Sequence, residues 1–318
     1  MKAAVGAVSR ISGMGDALLR WYGVNNGAIV LSFHRVVRQP YFRPQMAVSL
    51  ETFTRLLDYL CEQAVVVDLS QLQTLPPQQQ GKKRVRVALT FDDGYRDNYD
   101  NAFPELSRRG LPATVFLTTA SIDNPEQYLW WDALAHVIGQ LDGLPADRAA
   151  GVRAVLRAQG VDIARRYENP HGLVNDAVDR LRTLPQAVRE QVIRSVIAAA
   201  GDAVSARPRI ALAWHEVRSM AERGIRFGGH TVNHPNLDEL TSSQLRAEIT
   251  ECKERIESQL GQPVEAFAYP SGRYTAATVD AVRSAGYRSA CTTETGAYRP
   301  GGNILRIPRI DISDDMVR

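Results

Sequence analysis

About eight short apolar runs, separated by segments with helical spacing, set the rhythm of most of this chain. Gly27-Ala28-Ile29-Val30-Leu31-Ser32-Phe33 is unbroken, as expected of a strand buried on both faces. Similar runs stand at Val65–Val67, Val87–Phe91, Ala113–Leu117, Ile225–Gly228, Ala266–Tyr269, Ser289–Thr292 and Ile304–Ile310. Between them, Phe53, Leu56, Leu57 and Leu60 give residues 50–63 an apolar helical face. Further helices are expected over 98–109, 214–223, 241–260 and 276–285, the third opened by a capping box of Thr241 and Gln244. Repeated strand–helix units impose right-handed crossovers and a parallel sheet. No glycine-rich dinucleotide loop follows the first strand. The expected fold is therefore α/β: an irregular parallel (β/α) barrel of about seven or eight strands with a helical insertion.

The rhythm breaks between about residues 123 and 210. Strand-like runs are missing there, while Val152, Val155 and Leu156, then Val178, Leu181 and Leu184, recur at helical spacing. The stretch reads as a helical insertion opened by Tyr128-Leu129-Trp130-Trp131-Asp132, and as a candidate lid over a substrate groove. Residues 27–318 are then one barrel domain carrying the insertion, and residues 1–26 an N-terminal helix. Val5, Val8, Ile11, Leu18, Trp21 and Tyr22 give that helix an apolar face. The face suits either peripheral membrane contact through residues 1–22 or packing on the barrel.

Composition mainly excludes. A net charge of +3 gives no case for nucleic acid as a partner. Cys61, Cys252 and Cys291 are odd in number and widely spaced, so free thiols in a reducing compartment are expected. Residues 1–22 form neither a signal core nor a spanning stretch, which favours a cytoplasmic location, with the inner face of a membrane as the alternative.

Two clusters carry candidate chemistry. Val87–Phe91 runs straight into Asp92-Asp93-Gly94-Tyr95, a strand delivering two carboxylates to its end with Gly94 permitting a sharp turn. Far downstream, His230-Thr231-Val232-Asn233-His234 holds two imidazoles four residues apart, close enough to face one point. Two histidines and one carboxylate make an open three-ligand site suited to zinc or a similar divalent ion. Thr231 stands where the helical metalloprotease motif needs glutamate, so a base must come from elsewhere; the Asp92–Asp93 pair has one carboxylate to spare. His34, Asp92, Asp93, His230 and Pro270 all fall where an expected strand ends, which in parallel barrels is the catalytic face. The bland alternatives are a capped turn at Asp92–Asp93, a loop-capping histidine pair and a structural His34. His136, His171 and His215 are expected at the surface or in caps; Trp130, Trp131 and Trp214 belong to the core or to sugar-stacking platforms.

Thr90-Phe91-Asp92-Asp93-Gly94 and His230-Thr231-Val232-Asn233-His234 resemble the first two motifs of the polysaccharide deacetylase family, metal-dependent carbohydrate esterases on an irregular (β/α) barrel. The resemblance runs from about Gly27 to Ile310 and implies Asp93, His230 and His234 as metal ligands and Asp92 as general base. It implies zinc as the ion, with cobalt, nickel or manganese as alternatives. Phe267-Ala268-Tyr269-Pro270-Ser271-Gly272 resembles the third motif, which lines the substrate groove, so Tyr269, Pro270, Ser271 and Gly272 join Tyr95 as expected substrate contacts. The arginine that often opens that motif is missing, leaving Arg273, Arg306 and Arg309 as candidates to orient Asp92. The family's Leu-x-His acid motif is also absent: Leu305-Arg306-Ile307 stands in its place. Leu31-Ser32-Phe33-His34-Arg35 resembles the corresponding strand of a circularly permuted branch that includes poly-N-acetylglucosamine deacetylases, which implies His34 as the acid. The partner so implied is an N-acetylated glycan or a lipid-linked oligosaccharide. A carbohydrate O-acetyl esterase and a non-catalytic glycan-binding barrel are the alternatives.

Overall fold

The computed structural model describes residues 27–73, 84–124, 126–161, 171–203 and 208–314. The expected helix over residues 1–26 lies outside them. Seven strands build the barrel: β1 (Ala28–Phe33), β2 (Val85–Phe91), β3 (Thr114–Leu117), β4 (Arg226–Gly229), β5 (Ala266–Ala268), β6 (Ser289–Thr295) and β7 (Ile307–Asp311). Each pairs in parallel with the next, and β7 returns to β1, so the ring closes in chain order. The eighth apolar run does not enter the ring. It forms Ala64–Val66 beside the first half of β2, and β3 takes over along the second half. Ala297–Tyr298 similarly runs antiparallel to the start of β1.

Strand alternation sorts the side chains into two layers. Ala28, Val30, Ala88, Phe116, Ala268, Cys291 and Ile307 fill the barrel interior. Ile29, Leu31, Phe33, Val87, Leu89, Phe91, Val115, Leu117 and Phe267 belong to a larger outer layer, together with Phe53 and Leu57 of the helix Leu50–Gln63 and Ile249 and Ile256 of the helix Ser242–Leu260. Both helices start where their sequences say they should: Ser49 caps the first through Thr52 N–H, and Thr241 with Gln244 closes the capping box of the second. The expected helix over 98–109 is an α-helix only from Phe103; Asn98–Ala102 forms a π-turn that fixes the exit of β2. Among the described residues, no helix is long and apolar enough to cross a membrane.

The helical stretch is a compact unit of its own, made of Asn124–Ile210 and the short segment Pro40–Arg43. Its helices are Trp130–Gly139, Ala146–Ala158, His171–Arg182 and Gln186–Ala200, with Leu134, Val137, Val152, Leu156, Val178, Leu181 and Val196 buried. Pro40–Arg43 belongs to this unit by its contacts: Tyr41 donates to Asp132 at 2.5 Å and the buried Arg43 reaches Asp179 at 3.4 Å. Nothing in the local sequence of residues 40–43 signals that attachment.

Candidate active site

The alternation that fills the barrel with Ala88 carries on through Thr90 to Asp92, which emerges at the carboxyl rim on the inward face. Asp92 N–H donates to Phe33 O at 2.8 Å, extending the β1–β2 ladder by one step and setting Asp92 beside the exit of β1, where His34 stands. Asp93 then adopts φ 72° and Gly94 also φ 72°, the turn that lets two consecutive carboxylates serve one cavity. On the histidine loop, Thr231 (φ 69°) and His234 (φ 57°) are again left-handed, and Thr231 Oγ1 accepts from His234 N–H at 2.9 Å. The described non-glycine residues with positive φ are Asp93, Thr231, His234 and Ser271, and every one lies in a motif loop. Local strain is concentrated where side chains must be aimed.

The loops bring Asp93, His230 and His234 together. Asp93 Oδ1 lies 3.4 Å from His230 Nε2 and 3.5 Å from His234 Nε2, both long for hydrogen bonds. Among the described residues, neither oxygen of the buried Asp93 carboxylate has a partner within ordinary hydrogen-bond geometry. His230 Nδ1 donates to Ala268 O at 2.8 Å, which fixes the tautomer and turns Nε2 toward Asp93. The donor set fits a divalent cation. Ligands at about 2.1 Å around a tetrahedral ion stand about 3.4 Å apart, which is the spacing of Asp93 Oδ1 from each imidazole, and all three ligand atoms lie within 4.8 Å of one another. Burial pushes the His234 pKa down to about 4, so that imidazole offers a free lone pair at neutral pH. Burial pulls His230 the same way, but Asp93 and the Asp92 charge reverse the shift and raise it.

Asp92 takes no part in that cluster. Arg309, from the inward face of β7, grips it with Nη1 on Oδ1 and Nη2 on Oδ2, each at 2.7 Å. The guanidinium is itself anchored by Nε to Thr292 O at 2.9 Å and Nη1 to Thr90 Oγ1 at 3.2 Å. A register slip between β6 and β7, where Ile307 opposes Cys291 but Arg309 opposes Thr295, leaves the Thr292 carbonyl in reach. Burial would raise the Asp92 pKa, but the Arg309 charge and hydrogen bonds, with His230 and His34 adding to the positive field, hold it well below the usual carboxylate range. Arg309 is thus the candidate that reaches Asp92. Arg273 and Arg306 do not orient it: Arg273 pairs with Asp238 at 2.8 Å and Glu239 at 3.1 Å, and Arg306 with Tyr274 at 2.7 Å and Glu294 at 3.1 Å.

His34 is half-buried, and its segment is tied to the exit of β2. Asn98 Nδ2 donates to His34 O at 2.9 Å, while Asp97 accepts from Arg35 Nε at 2.7 Å and Val36 N–H at 3.1 Å. The expected substrate contacts fare differently. Tyr269 is fully enclosed, donates its hydroxyl to Leu305 O at 2.9 Å and packs edge-on against Phe267. It has outward parity on β5, one step past Ala268, and so belongs to the layer between strands and helices; it offers no ring to a sugar. Tyr95 is also buried, its ring under the Arg35 guanidinium at 4.6 Å. Pro270 is buried, Gly272 half-exposed and Ser271 exposed. Among the tryptophans, Trp131 is buried and Trp214 half-buried, with Nε1 on Asp123 at 2.9 Å. Sequence reasoning passed over Asp97, Asn98 and Glu248. Asn98 and Asp97 follow the first motif closely, but only the barrel closure shows what they hold.

Fold and site together define a class: a parallel barrel with a buried His-His-Asp cluster able to hold a cation at its carboxyl rim, and a separate aspartate kept ionised by Arg309 beside it. Residues 79–290 match the family model described as polysaccharide deacetylase, and the chain belongs to that family. His34 and Arg309 lie outside the matched span, at the two ends that the barrel brings together. YxkH of Bacillus subtilis, which carries the family's name, is 23% identical over 230 residues, 72% of this chain. The chain spans 52% of the length of YxkH. Among solved structures, the Streptococcus pyogenes deacetylase PplD in complex with acetate superposes with a TM-score of 0.58 at 19% identity, covering 91% of this chain and 94% of that one. IcaB from Ammonifex degensii gives 0.57 at 18% identity, with 92% and 94% covered. At these identities the likeness is one of fold.

Proposed function

We propose that the protein is a metal-dependent de-N-acetylase, removing acetyl groups from N-acetylhexosamine residues of a bacterial exopolysaccharide or its lipid-linked precursor. The observation that carries this reading is the Asp92–Arg309 pair beside the Asp93–His230–His234 cluster, because it leaves one ionised carboxylate outside the ligand set. Asp93, His230 and His234 would hold zinc or a similar divalent ion, which supplies a polarised acetyl carbonyl and an acidified water. Asp92 takes the proton from the attacking water; Arg309 occupies two of its lone-pair positions and leaves others for that contact. Its depressed pKa keeps Asp92 ionised throughout the working range, in exchange for some basicity. His34, at the adjacent strand exit, gives a proton to the departing amine, which is too basic to leave as an anion. Exposed Ser271, with Gly272 and neighbouring backbone, lines the approach for the glycan.

Acetylated chitooligosaccharides and O-acetylated sugars, offered separately with zinc, test the assignment. The expected result is release of free amine and acetate in equal amounts. Acetate from the O-acetylated sugars alone would make the protein an esterase, and no release of either with zinc bound would make it a glycan-binding barrel. His34→Ala should abolish amine release while zinc stays bound.

A further inference from the structure

Glu248 stands outside the metal-ligand cluster and every motif, yet its one carboxylate takes three hydrogen bonds from the centre of the histidine loop. Its Oε2 accepts from Val232 N–H and from Asn233 N–H, each at 2.9 Å, and its Oε1 accepts from Asn233 Nδ2 at 2.7 Å. The two backbone donors are consecutive and follow Thr231 at φ 69°, a concave pair of N–H groups of the kind that receives an anion. Both lie between His230 and His234. The helix Ser242–Leu260 that carries Glu248 is fixed on the barrel by buried Leu245, Ile249, Cys252 and Ile256, so the carboxylate is a rigid post. From the other side, the loop is tied by Thr119 N–H to Thr231 O at 3.3 Å and Ala120 N–H to Val232 O at 2.9 Å. Without Glu248, the left-handed Thr231 and His234 that aim His234 at Asp93 would rely on the Thr119 and Ala120 contacts and the Thr231 Oγ1 bond.

We propose that Glu248 is a positioning residue for the cation site: it sets the affinity of the Asp93–His230–His234 cluster by holding the loop between the two histidines in its strained form. The inference rests on the metal-site reading above. It concerns the chain's own preorganisation, since the loop must already be in place before an ion arrives.

The test is zinc affinity of the full chain, measured by competition with a chromophoric chelator, alongside thermal unfolding of the metal-free protein. Glu248→Ala should weaken zinc binding by about 10- to 100-fold, the range seen when groups that orient metal ligands are removed. Glu248→Gln, which can still accept from the backbone pair, should keep most of the affinity that Glu248→Ala loses. Glu248→Ala binding zinc as tightly as wild type, with only its melting temperature lowered, would overturn the proposal and leave Glu248 a structural cap. Should Glu248→Ala fail to fold, Glu248→Asp, whose shorter side chain withdraws the acceptor, carries the same expectation. A wild-type chain that binds no zinc would refute the metal site itself, an outcome distinct from a wild type that binds and a variant that binds equally.

Discussion

Arg309 and Asp92 are both nearly excluded from water, 2% and 3% exposed, and each is the other's main compensation. Removing one partner of such a pair strands a buried charge, which costs about 3–5 kcal/mol. Arg309→Met should therefore destabilise by that amount, and adding Asp92→Leu should recover most of it; denaturant unfolding of the single and double variants measures the coupling. The pair also fixes a pH dependence. The Asp92 pKa is depressed in the fold below its ordinary 3.8, so its contribution to stability is complete above about pH 4 and is lost only as pH falls toward the folded value. Stability measured between pH 7 and pH 5 should show no loss from this pair, and the gap between wild type and Asp92→Asn should narrow below pH 4. For turnover, Asp92→Asn should lower kcat/KM by about 10²- to 10⁴-fold, the usual contribution of a general base, with zinc affinity kept. His230→Ala should lose the metal instead, a difference that metal analysis of the two purified variants reads directly.

At the scale of elements, the barrel strands place side chains by parity and the loops aim them by unusual backbone angles. The third motif shows how narrow that tolerance is. Gly272 has φ 65°, and a Cβ there would meet Thr293 Oγ1 at 1.8 Å. Gly272→Ala should cost about 1–3 kcal/mol through strain and overpacking, visible as a lower denaturant midpoint with an unchanged slope. Parity also explains two sequence expectations that the structure corrects. Tyr269 follows Ala268 by one residue and therefore faces the helices rather than the rim, and its hydroxyl is spent on Leu305 O. Arg306 and Arg309 are three apart on or before one strand, so they cannot share a face, and Arg309 has the inward one. Once Ile307–Asp311 is known to be a barrel strand, its alternation alone selects Arg309.

For the whole molecule, closure of the ring is the decisive event. β1 and β7 are the chain's first and last barrel strands, and their pairing brings His34, Asp92 and Arg309 to one rim. Cation binding should be coupled to the stability of that assembled state, because its ligands come from segments more than 130 residues apart and converge only in the fold. Zinc at about 100 times its Kd should add about 2.7 kcal/mol of stability. A scan with and without zinc should show a higher melting temperature for wild type and no shift for His230→Ala.

The strands, the main helices and both candidate ligand motifs were legible in the sequence because they are written locally, in unbroken apolar runs, capping boxes and adjacent acids or spaced histidines. A candidate cation site could be read because its residue types are rare together and because Asp93 and His230 closely follow strand ends. Which arginine grips Asp92, that Tyr269 faces the helices, and that residues 40–43 belong to the inserted helices could not be read so. Those facts depend on register and ring closure, which join positions 217 residues apart in the case of Asp92 and Arg309. Local propensity carries no information across such a distance; only the packed barrel decides it.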